Sequence, residues 1–334
     1  MTHSPVPSRS WTKPGFVAYS RYAPHSPALR SLCGSDTLIH TRPELATAEA
    51  GHVRALRRLG ARFVLWEWAP DEVLEAWGEP DLVVSNGFFP HYSTLSWDRQ
   101  GWVATAEWPK RPLVAVSAEE RTRVERWAAD YRDQRLGDEP WRAPDLARPF
   151  LFVVLQIETD LVARWWPKGR DSQWLIHLAQ DYASREGFDL VVKQHPFDPV
   201  EPDAYDVDRA RTCFLSKAAF PLEVLSHVNA SLVSQAHEVW GFNSTMVTEA
   251  ALIYDKPTRA FGPTLLDGHG LLLGESPEVA SGPPTEGLTQ PQRRAALLSR
   301  LLSRQVALDE LHLHREAILS NRERIHDVSW PRSA

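Results

Sequence analysis

The chain has 334 residues, 43% of them hydrophobic and 24% charged, with a formal net charge of −6 at pH 7. That length accommodates two compact domains, and an acidic balance with no long basic run excludes the cationic surplus that binding a nucleic-acid backbone requires. Cys33 and Cys213 form no CxxC pair and are too few for a disulfide framework, and the longest apolar stretch, 150–155, is far short of the roughly 20 residues that cross a bilayer.

Residues 1–14 contain no apolar h-region and read as a loose tail rather than a signal peptide, so a cytoplasmic location is expected, with at most peripheral attachment to the inner face of a membrane. Short apolar runs then alternate with amphipathic stretches, the pattern of an α/β protein with parallel sheets. Strands are expected at 15–19, 62–66, 81–85, 102–106 and 113–116. A helix is expected over 44–59, where Ala48, Val53, Leu56 and Leu59 recur near helical spacing before Gly60. Ser117 and Glu120 form a capping box for a helix reaching about Tyr131. The polar, Pro-containing stretch 133–149 is the expected interdomain linker. A second series follows, with strands at 150–155, 189–193, 239–242 and 257–261 and helices at 172–186, 221–227 and 244–254. Thr289 and Gln292 cap a last long helix whose Leu298, Leu301, Leu302, Leu308, Leu311 and Leu319 make an apolar stripe. The expected plan is therefore a tail (1–14), an N-terminal Rossmann-like acceptor domain (15–132), the linker, a C-terminal Rossmann-like nucleotide-sugar domain (150–288) and a helical region (289–330). A cleft between two such domains is a usual ligand site.

Three segments of the second half place polar groups just after an expected strand, and in open α/β sheets that carboxyl edge is where ligands bind. The first delivers Gln156, Glu158 and Asp160, whose carboxylates suit a nucleophile, a general base or a clamp on sugar hydroxyls. The second ends in Lys193 and His195 before Pro196, a cation and an imidazole suited to a phosphate or carboxylate. The third runs into Asn243, Ser244 and Thr245, which cap a helix and so gather N–H groups and hydroxyls at one point, with Glu249 one turn further on. Neither GxGxxG nor GxxxxGK[ST] occurs, which argues against a dinucleotide fingerprint or a P-loop. His312 and His314 stand at i, i+2 and share no helical face, so no metal site is expected. The 14 tryptophans read first as core packing; Trp66, Trp68, Trp102 and Trp108 lie at expected strand ends where sugars could stack.

Gln156-x-x-x-Asp160, Lys193-x-His195-Pro196, and Asn243-Ser244-Thr245 followed by Glu249-Ala250-Ala251-Leu252 and Lys256-Pro257, in that order, resemble the capsule polysaccharide biosynthesis family of β-Kdo transferases. The resemblance covers about 150–262 and implies a GT-B arrangement, two Rossmann-like domains facing across a cleft. It also implies a retaining glycosyltransferase that moves Kdo or a related sugar from a CMP-activated donor to a glycan or glycolipid acceptor, with no other cofactor. Carried residue by residue, it makes Asp160 the nucleophile, sets His195 and Lys193 near the donor carboxylate or phosphate, Ser244 and Thr245 on the phosphate, and Glu249 on the nucleotide ribose. In the first half, the 83–87 and 103–107 strand ends resemble those preceding an acidic motif in the family, which makes Glu107 the candidate general acid/base. A teichoic-acid type glycerophosphotransferase, with His195 as base, and a silent nucleotide- or glycan-binding relative are the alternatives.

Overall fold

The structure is a computed structural model and describes residues 15–90, 93–99, 101, 106, 108, 111–142, 146–159, 163, 166–274 and 287–321. The chain divides into two compact units, with crossings at 107/108 and 302/303.

The first unit opens with β1 (Phe16–Ser20), α1 (Ser26–Cys33), β2 (Leu38–His40), α2 (Pro43–Ala48), α3 (Ala50–Arg58), β3 (Arg62–Trp66), α4 (Asp71–Trp77), β4 (Leu82–Asn86) and β5 (Thr94–Asp98). β2, β1, β3 and β4 run parallel in that spatial order, and β5 adds an antiparallel strand beside β4. Because side chains alternate across a strand, β1 and β3 feed two cores. Ala18, Val64 and Trp66 pack with Leu29 and Leu32 of α1, while Val17, Tyr19, Phe63 and Leu65 pack with Val53 of α3 and Trp77 of α4. The helix expected over 44–59 is two helices, because Glu49 leaves helical angles (φ −93°, ψ 9°).

The second unit begins with α5 (Ala118–Leu136) and continues through β6 (Phe150–Val154), α6 (Ser172–Glu186), β7 (Asp189–Lys193), β8 (Thr212–Leu215), α7 (Leu222–Gln235), β9 (Glu238–Gly241), α8 (Thr245–Leu252), β10 (Thr258–Ala260) and α9 (Gln290–Ser303). Its five strands are parallel in the order β10-β9-β6-β7-β8. The chain winds from β6 outward to β8, then returns to place β9 on the other side of β6, so the topological switch point lies between β6 and β9. Leu151, Val153, Leu190, Val192 and Trp240 form one buried face with Leu175, Ile176 and Ala179 of α6.

The strand expected at 113–116 is a coil that meets no sheet. Leu113 is buried and Val114 exposed, while Arg300 holds the neighbouring carbonyls of Arg111 and Pro112 at 2.8 and 2.6 Å. Ser117 does cap α5, accepting from the Glu120 N–H at 3.0 Å, but the helix continues past Tyr131 to Leu136 and belongs to the second unit. The stretch expected to link two domains also lies on that unit. The Trp141 N–H donates to Ser231, Gln235 donates to the Trp141 carbonyl, and Arg148 pairs with Asp189 at 2.8 Å. Of the strand expected at 102–106, residues 102–105 lie outside the described residues.

The last expected helix is interrupted. After α9 the chain returns to the first unit, where β11 (Gln305–Ala307) pairs antiparallel with β5 and α10 (Leu311–Leu319) packs into the core against α1. Gln305 explains the break. Fully buried, its side-chain oxygen accepts the N–H groups of Phe88 and Phe89, and its amide donates to the Phe89 carbonyl.

Candidate active site

Strand pairing brings the three polar segments of the second half together at one edge. Val154 at the end of β6 is paired with Lys193 of β7 on one side and Gly241 of β9 on the other, and neighbouring strands lie about 4.8 Å apart. The segments leaving these three strands therefore emerge on the same carboxyl rim. Gly241 is required there, since a Cβ would stand 2.8 Å from the Val247 side chain and 3.3 Å from the Val154 carbonyl.

Gln156 and Asn243 meet across the switch point. The Asn243 N–H donates to the Gln156 side-chain oxygen at 2.9 Å, and the Asn243 oxygen accepts from the Trp166 indole at 3.1 Å. Trp166 is stacked on Phe242, with ring centres 3.9 Å apart. Ser244 is the N-cap of α8, its hydroxyl accepting from the Met246 N–H at 3.2 Å. Thr245, in the first turn, makes no side-chain hydrogen bond among the described residues and is part-exposed. The helix end thus brings its partial positive charge to the rim.

Lys193 is the cation of the site. It is 5% exposed, and among the described residues its ammonium has neither a carboxylate nor a hydrogen-bond acceptor. Burial alone pushes its pKa down to about 8. A buried cation without a partner is costly.

His195 sits on a loop fastened from behind. Its Nδ1 accepts from the Phe197 N–H at 3.1 Å, so the neutral ring carries its proton on Nε2, where it can donate. The buried Asp198 accepts from the Gln194 amide, from the Val200 N–H and, at 2.6 Å, from Tyr205. Lys217 binds the Asp198 and Val200 carbonyls and Glu201. Gln194, Asp198, Tyr205 and Lys217 went unread in the sequence, although an aspartate two residues after a proline is a turn signal. Asp198→Ala is expected to leave the Gln194 and Tyr205 donors unsatisfied, costing about 2–3 kcal/mol; urea unfolding would measure the loss.

Two expected site residues are engaged elsewhere. The Glu158 carboxylate accepts the N–H of Ser172 at 2.9 Å and so caps α6 together with Asp171. Glu249 is 5% exposed, enclosed under α5 with Tyr131 donating to it at 3.1 Å and Arg135 at 3.5 Å. Burial outweighs these partners and holds its pKa above the usual carboxylate range. It is an interior carboxylate with no surface to offer a ribose. The capping spacing was real, but sequence could not show that α5 lies over it. Asp160 and Glu107 lie outside the described residues. Among the described residues, no cluster of His, Cys, Asp and Glu could hold a metal ion, and no helix is long and apolar enough to cross a membrane.

A family model described as capsule polysaccharide biosynthesis protein matches residues 110–302, more than half of the chain and all of the described part of this site. The chain belongs to this family. Solved structures similar to this capsule-family chain include two KpsC structures from Thermosulfurimonas dismutans. The β-Kdo 2,7 transferase is 16% identical with a TM-score of 0.59, covering 91% of this chain and 99% of that one. The β-Kdo 2,4 transferase is 18% identical with a TM-score of 0.58, covering 85% and 90%. At such identities the likeness is one of fold, and it agrees with the two Rossmann-like units of a GT-B protein. No curated protein matches the chain in sequence.

Proposed function

We propose that this chain is a glycosyltransferase of capsular or surface polysaccharide synthesis that moves Kdo or a related acidic sugar from a CMP-activated donor to a glycan or glycolipid acceptor. The observation that carries the reading is the buried ammonium of Lys193, without a counter-charge among the described residues, on the same rim as the α8 N-terminus. Two sources of positive potential, one strand apart on either side of β6, suit one nucleotide phosphate. Negative charge grows on that phosphate as the bond to the sugar breaks, and pre-placed cations and N–H dipoles lower the barrier most there. His195, donating through Nε2, adds a third contact. Family membership and the fold shared with the two KpsC transferases support the same reading.

Asp160 keeps in this proposal the part the motif implies. Its carboxylate attacks the anomeric carbon, and displacement by the acceptor then retains configuration. Purified protein is expected to bind CMP and to turn over CMP-Kdo in the presence of a Kdo-terminated glycolipid, with Asp160→Ala and His195→Ala each losing at least about 100-fold in rate. Preference for CDP-glycerol would instead indicate the glycerophosphotransferase reaction. Failure to bind any cytidine nucleotide would sink both.

A further inference from the structure

Trp166 stands in the segment that leaves β6 and leads to α6, and two turns seat it. Its own N–H donates to the Ala163 carbonyl at 3.0 Å, and just beyond it the Arg170 N–H closes a turn onto the Pro167 carbonyl at 3.0 Å. Gly169 gives that second turn its left-handed residue (φ +76°). The indole is 9% exposed and lies flat on the fully buried Phe242, with planes within 11°. Phe242 meets Trp174 of α6 on the same aromatic cluster. The chain leaving β10 passes the indole at Gly262, where a Cβ would stand 3.1 Å from the indole Cδ1 and 3.6 Å from its Nε1. Glycine there leaves the indole its room.

Packing of this kind is ordinary for a tryptophan, but its one polar atom is placed with consequence. A buried indole N–H requires an acceptor, and here it is the Asn243 side-chain oxygen at 3.1 Å. The Asn243 N–H donates in turn to the Gln156 side chain at 2.9 Å. Asn243 directly precedes Ser244, the N-cap of α8. The residue that leads into that helix is therefore tied twice to the segment after β6, once by its backbone and once by its side chain. These ties fix where the first N–H groups of α8 point, and they do so relative to β6, whose Val154 is paired with Lys193.

We propose that Trp166 is a positioning residue of the rim: through Asn243 it holds the α8 N-terminus where the nucleotide phosphate binds, without touching the nucleotide itself. What is bound rests on the function proposed above; what is held rests on the geometry alone. The physical ground is preorganisation. N–H dipoles stabilise growing phosphate charge when they are already aimed at it, and a displacement of about 1 Å is enough to cost about 100-fold in rate.

The test uses the full chain. Trp166→Phe keeps a ring on Phe242 and removes the N–H donor, and Asn243→Ala removes its acceptor. One neutral hydrogen bond corresponds to about fivefold, so calorimetry should show Trp166→Phe weakening CMP by about that factor. If Trp166 acts through Asn243, the double variant should bind CMP within about twofold of Asn243→Ala alone, because the bond is already gone. Gly262→Ala is an independent variant that crowds the indole instead of deleting its N–H, and CMP affinity should fall in it too. Hydrogen exchange on the ligand-free chain supplies a readout without nucleotide: the Asn243 amide should exchange about fivefold faster in Trp166→Phe, with the β7 amides unchanged. Equal CMP affinity in wild type and Trp166→Phe, or losses that add in the double variant, overturn the proposal, since a ring that only fills the core would change stability and leave binding alone. A wild type that binds no cytidine nucleotide overturns the proposed transfer instead. The positioning role is then decided by exchange, and an unchanged Asn243 amide refutes it.

Discussion

Lys193→Met is expected to abolish tight nucleotide binding and, at the same time, to make the protein more stable. Both effects come from one ammonium that is 5% exposed and has no partner among the described residues. Burial lowers its pKa from 10.5 to about 8. A difference of this size corresponds to a cost on the order of 3 kcal/mol for keeping the proton in the folded state at neutral pH. Methionine has similar length and no charge to desolvate, so most of that cost should return as stability.

The pH dependence has a definite sign. Between about pH 8 and pH 10.5 the unfolded chain holds the lysine proton and the folded chain does not, so the wild type gains stability as pH rises through that window. Below pH 8 the full cost is present. The advantage of the methionine variant should therefore be largest below pH 8 and vanish near pH 10.5, which urea unfolding at several pH values would measure. Binding runs the other way. A charge-assisted contact in a buried site is worth about 3 kcal/mol, or roughly 100-fold in affinity, and CMP should bind the wild type more weakly above pH 8. Calorimetry giving the same CMP affinity for both proteins would remove Lys193 from the site.

Arg135→Met is the second large effect, and here stability falls. Glu249 lies wholly inside the second unit, with the Arg135 guanidinium at 3.5 Å as its counter-charge and Tyr131 as its neutral donor. Removing one partner of a buried pair leaves the other uncompensated, which costs about 3–5 kcal/mol. Burial already holds the Glu249 pKa above its unfolded value, so the folded state takes up the proton more readily and stability drops as pH rises through the folded pKa. In the arginine-less variant that drop should steepen. Adding Glu249→Gln should restore most of the loss, because an amide still accepts from Tyr131 and carries no charge. A double-mutant cycle measured by unfolding gives the coupling directly; additive single effects would mean that the pair is not coupled.

The features legible in the residues and those that were not divide along a physical line. Helix 172–186 and strand 189–193 are legible to the residue, because Asp171, the Gly187 stop and the run into Lys193 are local signals that hold in any tertiary context. The strand at 62–66 is equally legible. β5 escapes a sequence reading because Thr94, Ser96 and Asp98 make it look polar, although all three are buried and Ser96 meets Ser85 across the ladder at 3.0 Å. β8 and β2 are short edge strands, too brief to show a period.

The site divides in the same way. By itself the sequence determined that Gln156, Lys193, His195 and the Asn243–Ser244–Thr245 cap stand at the ends of strands or just after them. Since strands of one parallel sheet end on one rim, that alone predicted their convergence. Only the tertiary structure decided that Gln156 would bridge to Asn243, that Glu158 would cap α6, and that Glu249 would be enclosed by α5. It also decided that α5 joins the second unit and that 305–307 leaves a leucine-striped helix to pair with β5. The reason is range. Caps, turns and periodicity act within a few residues, whereas the partner of a carboxylate 114 positions away, Arg135 for Glu249, is chosen by packing that no local pattern records.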